Sequence, residues 1–246
     1  MLLIKIIIFS LIITLFVSGT ALALTAEEII NKRDDNEYVI SARVESEMIV
    51  KNGDREMTKI MVSISDGENA FITFTNPRDR GTKFLKKDDE LYMFFPDAED
   101  IVQLSGHTLN QGMMGSDYSY RDMMESDKLT DLYNFEIIGE EEYEGRLCYK
   151  LEGTPAEGAE VSYYRRLVWV DKERFTGLKE ELYAQSGRLL KDTRVLKVEE
   201  IEGRWIPMES IMENKLRKNT ETRLIINEIE FNPDIPEGTF SIRNLK

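Results

Sequence analysis

The chain has 246 residues, with 32 basic against 46 acidic side chains and a formal net charge of −14. Phosphate backbones require a basic footprint, so nucleic acid is excluded as a partner, and flat docking on anionic lipid by charge alone is disfavoured. A single cysteine excludes an internal disulfide, so the fold must hold together by its core.

Residues 1–17 are almost wholly apolar apart from Lys5, and Ser18 and Gly19 lead to Ala21-Leu22-Ala23. One early positive charge, an apolar stretch and an A-x-A site make a secretory signal peptide, cleaved after Ala23. The competing reading is a retained anchor, since the run approaches the ~17 to 25 residues that a spanning helix needs. Cys148 lies far from this leader, which therefore offers nothing to lipidate. The mature chain, residues 24–246, is expected outside the cytoplasmic membrane, in the periplasm, as one mainly β domain of about 220 residues.

One helix opens that domain. "LTAEEIINKRDD" places Thr25 as N-cap, Glu27 and Glu28 in the first turn where the helix dipole favours them, and Ile29 and Ile30 on an apolar side. Strands follow. In "YVISARVESEMIV" Tyr38, Ile40, Ala42, Val44, Met48 and Val50 fall on one face, and Ser41, Arg43, Glu45 and Glu47 on the other, the period of a half-buried strand. "KNGDR" is a hairpin turn, from which "MTKIMVSI" returns. The pattern recurs in "NAFITFT", "TKFLKK", "ELYMFFP", "DIVQLS", "NFEIIGEEEYEG", "RLCYKLEG", "YYRRLVWVDK", "GLKEELYAQSG", "RLLKDTRVLKVEEIEG", "RWIPMESIME" and "ETRLIINEIEF". Roughly ten or eleven antiparallel strands are expected, in a sheet that must curl or close because open twisted sheets seldom exceed ~10 strands. "EGTPAEGAE", residues 152–160, reads as a long hairpin loop, and no linker or repeat marks a second domain.

Catalytic signatures are sparse. His107 is the only histidine, so neither a histidine-based metal cluster nor a Ser-His-Asp triad can be assembled. Copper bound by His107 and nearby methionines is disfavoured, because Met113-Met114 and Met123-Met124 are adjacent pairs rather than a spaced ligand pattern. Glu140, Glu141, Glu142 and Glu144 cluster as a solvated turn would. Tyr163, Tyr164, Arg165 and Arg166 could form an anion site, or divide between the two faces of one strand with arginine stems covering apolar surface. Cys148 in "RLCYKL" reads as a small buried apolar residue. There is no phosphate loop, nucleophile elbow or H-E-x-x-H. No enzyme activity and no cofactor are expected.

Residues 106–124, "GHTLNQGMMGSDYSYRDMM", hold four methionines in a stretch too glycine-rich for a regular strand. Methionine is flexible and polarizable, and is over-used where a surface must accept ligands of varied shape. "SYRDMMESDKLTDL" can form one or two short helices with Tyr120, Met123, Met124 and, a turn further, Asp127 and Lys128 near one another, while Gly112 and Gly115 permit bends. Such a segment is either a lid over a curved sheet or a plug filling one end of a barrel.

The stretch from Asn76 to Met124 resembles the outer-membrane lipoprotein-sorting family, the LolA-like proteins. It carries a Pro-Arg-x-x-Gly-Thr turn (Pro77, Arg78, Gly81, Thr82), an aromatic strand running into Phe-Pro (Tyr92, Phe94, Phe95, Pro96), then Ser-Gly-His and Met-Met-Gly-Ser-Asp; the closing "IPEGTFSI" is similar too. The resemblance implies an incomplete, strongly curved antiparallel β-barrel with an N-terminal helix and a short helical lid over an apolar cavity for acyl chains. On that reading Met113, Met114, Tyr118, Tyr120, Met123 and Met124 form the lid, and Phe84, Tyr92, Phe94, Trp169 and Trp205 are candidates for the concave wall. It further implies a monomeric carrier of lipids or lipoprotein acyl chains between the inner and outer membranes, taking cargo from an inner-membrane transporter or exporter. The alternative is a non-catalytic accessory module of a resistance-nodulation-type exporter, and a third reading is a lipid-modifying enzyme using carboxylates at the cavity mouth. Arg43, Arg165 and Arg194 are equal candidates for the family's cavity arginine.

Overall fold

Thr25 starts the first helix, α1 (Ala26–Glu37), in the computed structural model, which describes residues 23–125 and 128–246. All of the expected leader but Ala23, that is residues 1–22, and Asp127 lie outside the described residues. The Thr25 hydroxyl accepts from the Glu28 N–H (3.2 Å) and the Glu28 carboxylate from the Thr25 N–H (2.7 Å), a capping box worth about 1 kcal/mol. Ile29 and Ile30 are fully buried, each contributing about 1.5–3 kcal/mol. At the other end Asn36 Nδ2 donates to the carbonyls of Arg174 and Phe175, and Glu37 accepts from the Gly177 N–H. These bonds carry the helix to Glu37, so the strand alternation begins at Ala42 rather than Tyr38. Tyr38 and Ile40 belong to the connection, and Ile40 is 62% exposed.

Thirteen antiparallel strands follow: β1 (Ala42–Asn52), β2 (Arg55–Ser65), β3 (Ala70–Phe74), β4 (Lys83–Lys87), β5 (Glu90–Phe95), β6 (Asp100–Leu104), β7 (Tyr133–Tyr143), β8 (Arg146–Pro155), β9 (Arg165–Asp171), β10 (Gly177–Tyr183), β11 (Leu189–Ile201), β12 (Arg204–Asn214) and β13 (Thr220–Phe231). The count exceeds the ten or eleven expected because every apolar run forms its own strand. Asp88 and Asp89, both at positive φ, reverse the chain between β4 and β5 in two residues. The loop expected at residues 152–160 is shorter, since β8 continues to Pro155.

The strands form one sheet in the order β6-β5-β4-β3-β2-β1-β13-β12-β11-β10-β9-β8-β7, with β6 and β7 as unpaired edges. The first six strands meander to one edge, residues 105–132 cross to the other, and the last seven meander back until β13 pairs β1. Side chains alternate between two faces. Pairing register places Val50, Met57, Met61, Phe74, Ile72, Phe84 and Met93 on one face, together with Leu224 of β13. The same face continues through Ser210, Thr193 and Lys191 to Glu180, Val168 and Leu151.

This face is concave. A single short helix of the crossing segment touches both Lys86 of β4 and Lys191 of β11. Those strands are six apart in the sheet, about 29 Å at the usual ~4.8 Å spacing, so only curvature brings them to one helix. The architecture is therefore an open, curved half-barrel. Its concave face holds two apolar clusters: one on β1–β5, and one on β7–β9 covered by Ile29 and Ile30 of α1. A third, made of Cys148, Leu167, Trp169 and Leu178, lies on the convex face.

Candidate functional site

The crossing segment spans the concave face. It contains 3-10 turns at Gly106–Asn110 and Met113–Gly115, then α2 (Tyr120–Met124) and α3 (Leu129–Leu132). Its shape is set locally. A Cβ at Gly112 would stand 2.2 Å from the Ser116 carbonyl oxygen, and Gly115 has φ +87°, so both positions require glycine. Hydrogen bonds from the Met113 N–H to the Tyr118 carbonyl (2.7 Å) and from the Tyr120 N–H to Gln111 (3.1 Å) close the loop between them. Ser119 and Asp122 form a second capping box, which starts α2.

On the concave side Met113 and Tyr120 are buried in the β1–β5 cluster, and Met114, Tyr118, Met123 and Met124 pack against it. The Tyr120 ring lies 5.7 Å from that of Phe84, and Phe84 is 5.9 Å from Phe74. Met48, Met57, Met61 and Met93 come from the sheet beneath. Eight of the chain's eleven methionines thus meet in one cluster, the other three being Met1, Met208 and Met212. Burial pushes the Tyr118 hydroxyl up to about 12, so it stays neutral beside Ser210.

Polar anchors hold the segment at both ends. Asp117, fully buried, accepts from the hydroxyls of Thr220 (2.7 Å) and Thr222 (2.9 Å), while its N–H donates to Thr222 Oγ1 (2.9 Å). The Arg217 guanidinium donates to the Ser116 carbonyl (2.9 Å). The Met-Met-Gly-Ser-Asp motif therefore ties the segment to β13. At the other end Asp122 pairs with Lys191 and accepts from the Tyr163 hydroxyl (2.5 Å). Glu125 accepts from the Ser162 N–H (2.9 Å) and lies 3.7 Å from Arg166, whose other nitrogen donates to Glu180 (2.6 Å). Burial would raise the Asp122 carboxyl, but Lys191 and the hydrogen bonds outweigh it and hold it below the usual carboxylate range. The Pro-Arg-x-x-Gly-Thr turn is an anchor as well: Asp79 within it takes a buried ion pair from Lys59 (2.7 Å).

The structure brings Met113, Met114, Tyr118, Tyr120, Met123 and Met124 together with Phe84. The other expected wall residues are placed differently. Tyr92 and Phe94 alternate with Met93 and so point to the convex face, where Lys83 sits 5.8 Å from the Phe94 ring. Trp169 alternates with Val168 and is convex too, between Lys150 (4.6 Å) and Lys179 (4.3 Å). Trp205 lies at the start of β12, with Asn36 accepting from its N–H and the Arg174 guanidinium 4.5 Å from its ring. Arg43, Arg165 and Arg194 all fall on the convex face; Arg166 is on the concave face, stacked on Tyr133 (4.8 Å) and Tyr163 (5.4 Å). Tyr164 and Arg165 turn outward while Tyr163 and Arg166 turn in. His107 is exposed in the first 3-10 turn. Glu140, Glu141 and Glu142 belong to edge strand β7 rather than a turn, and Glu140 and Glu141 pair with Lys172 and Lys150.

Asp122 and Lys191 were not singled out by sequence as site residues, whereas Arg166 was named within a candidate anion site and Asp117 only as the end of the Met-Met-Gly-Ser-Asp motif. The S-x-x-D pattern at Ser119 and Asp122 was readable as a capping box, whereas the charge pairing depends on sheet register.

Several cavities border this arrangement. One of about 660 Å³ is lined by Asp66, Glu68, Asp88 and Asp89 among others, and is too acidic to hold an acyl chain. One of about 270 Å³ lies beside α2, lined by Ser119, Ser162, Tyr163 and Lys191 with Asn110 and Asn214. One of about 150 Å³ lies under α1, between Arg33, Glu180 and Val195.

No curated protein sequence matches the chain. A family model described as an uncharacterized protein matches residues 66–246. Among solved structures, a DUF1329 family protein from Desulfovibrio piger is similar at 25% identity and a TM-score of 0.80, over 90% of this chain and 98% of that one. A LolA superfamily protein from Nitrosomonas europaea is similar at 26% identity and 0.74, over 90% of this chain and 100% of that one. A structure described as an outer-membrane lipoprotein-sorting protein domain from Vibrio parahaemolyticus shares the fold at 24% identity and 0.76, over 89% of this chain and 97% of that one. With the family match, the half-barrel and the motif-bearing crossing segment together, the chain belongs to the family of that model and is LolA-like.

Proposed function

We propose that residues 24–246 are a single-domain periplasmic carrier, exported by a leader cleaved after Ala23, that binds acyl chains of lipids or lipoproteins in the concave face and catalyses no reaction. The observation that carries this reading is the convergence of eight methionines between the crossing segment and β1–β5. A core that only had to be stable would be better specified by Leu, Ile and Phe, whereas thioether side chains repack around contents of varying shape. The similar structures described as an outer-membrane lipoprotein-sorting protein domain and as a LolA superfamily protein support the same reading.

The physics is coherent. Each buried CH₂ is worth ~0.8 kcal/mol, so a sixteen-carbon chain in water forfeits on the order of 10 kcal/mol. In the present arrangement the crossing segment itself fills the apolar face, and its six side chains stand where acyl carbon would go. Lifting this lid exchanges methionine and tyrosine contacts for cargo contacts, and lowering it expels cargo. Phe84, on β4 beneath Tyr120, touches either occupant. The donor would be an inner-membrane transporter or exporter, and the carrier a monomer. Met123→Glu with Met124→Glu places two charges against the cluster on the lid side alone. The expected result is loss of lipid binding with the circular dichroism of the sheet retained; undiminished lipid binding sinks the lid assignment.

A further inference from the structure

The polar side of α2 carries chemistry that a hydrophobic lid does not need. Lys191 reaches the concave face with its side chain 7% exposed, and its ammonium pairs with Asp122 within 3.4 Å of Ser119 Oγ. The cavity of about 270 Å³ at this point is lined by the Lys191 ammonium, the hydroxyls of Ser119, Ser162 and Tyr163 and the amides of Asn110 and Asn214, beside Leu190 and Leu216; Ser119 and Tyr163 donate to Asp122, and Ser162 to Glu125. Behind it lies Arg166, 10% exposed, whose Nε finds no hydrogen-bond partner among the described residues and whose contact with Glu125 is loose at 3.7 Å. Lys191 and Arg166, like Lys59 and Lys86, are buried cations on the inner wall, and in a chain of net charge −14 they are not explained by general anion attraction. A buried ion pair also gives little net stability over an apolar pair of equal volume, so the fold gains little from keeping them.

The geometry of α2 connects this pocket to the apolar patch. Tyr120, Met123 and Met124 pack on the methionine cluster, while Ser119 and Asp122 bond to Lys191. One helix, about 10 Å across with its side chains, therefore separates a cationic pocket from an acyl-sized apolar surface. An amphiphile has the same two parts at the same separation. Its phosphate is an oxyanion like the Asp122 carboxylate, with more acceptor oxygens for the same donors.

We propose that the pocket of Lys191, Tyr163, Ser119 and Ser162 is a phosphate-headgroup site for an anionic amphiphile whose acyl chains occupy the methionine patch, and that the Asp122 carboxylate fills it in the absence of cargo. The proposal rests on the carrier reading above and adds the headgroup class. Asp122 and the headgroup compete for one ammonium, so cargo entry and lid release are a single exchange. Arg166 takes a further headgroup oxygen when Glu125 leaves with the lid.

The test uses the mature chain incubated with vesicles of dioleoylphosphatidylglycerol or dioleoylphosphatidylcholine, which share acyl chains, and counts the lipid retained by the protein after the vesicles are pelleted. The expected result is a preference of about tenfold for the anionic lipid, the effect of roughly one charge-assisted contact. Asp122→Asn removes the competitor and raises the ratio of anionic to zwitterionic lipid. The double variant D122N/K191Q leaves no lone buried charge from this pair, which protects folding, and lowers the ratio below that of the native chain, with Arg166 holding what preference is left. A ratio near one in the native chain and unmoved by D122N overturns the headgroup site while leaving the carrier reading standing, because a mere latch would change both lipids together. Binding of neither lipid overturns both. A third arm uses inorganic phosphate with D122N: weak binding is expected, and binding as tight as that of the anionic lipid overturns the amphiphile in favour of a free-anion site.

Discussion

Single residues decide how firmly the crossing segment is held. Asp117 accepts two threonine hydroxyls with no exposure to water. Asp117→Ala strands those donors, and the expected loss is about 1–3 kcal/mol in denaturant melts. Asp122 carries a pH dependence. Its carboxyl is depressed in the fold, with Lys191, Tyr163 and the Ser119 N–H facing it and Arg166, Glu125 and Glu180 nearby. A depressed carboxylate contributes stability that is complete above its unfolded pKa and is lost as pH falls through the folded one. Amide protection of residues 119–125, corrected for intrinsic exchange, should hold steady from neutral pH down to about 5 and collapse below about 4; loss near neutrality would remove Asp122 from the anchor. Cys148 behaves as its sequence context suggested. Buried on β8, it has its thiol pushed up to about 11, and it should resist thiol reagents at pH 8 until the protein unfolds.

At the scale of elements, the amphipathy of α2 was legible because Tyr120, Met123 and Met124 follow helical spacing within one short segment. Its anchors were not: Lys191 and Thr222 reach it only through the pairing order of the sheet, which no local pattern encodes. The same limit governs the wall residues. Where one face is only half-buried, as in β1, alternation grouped Ala42, Met48 and Val50 on one face, which the register makes the concave side. In β9 it could not, because six of seven residues are buried: α1 covers one face and the Cys148–Leu178 cluster lies on the other. Trp169 therefore looked as eligible as Val168. Gly112 offers a test of how the element is built. Gly112→Ala drives a methyl to 2.2 Å from the Ser116 carbonyl, so the loop must open. The expected outcome is raised proteolysis between residues 106 and 125 with the sheet intact; an unchanged digestion pattern would mean the loop is not what sets the segment's position.

On the scale of the whole molecule, the thirteen runs were readable one by one, and the conclusion that so large a sheet must curve followed from twist. The pairing of β13 with β1 was not readable, nor was the consequence that β6 and β7 remain as edges with the crossing segment spanning the face between them. That topology is what gives a carrier its opening: the sheet is continuous behind the apolar face, and the only cover over β1–β5 on the concave side among the described residues is the segment that joins the two edges. The central claim is that this face exchanges its own methionines for acyl chains. The most direct measurement is native mass spectrometry of residues 24–246 purified from a periplasm without detergent, with analysis of whatever is released on denaturation. The carrier account predicts acyl-chain cargo in stoichiometric amount. A clean apo mass, unchanged after incubation with phospholipid or a triacylated peptide, would contradict it and favour the accessory module of an exporter.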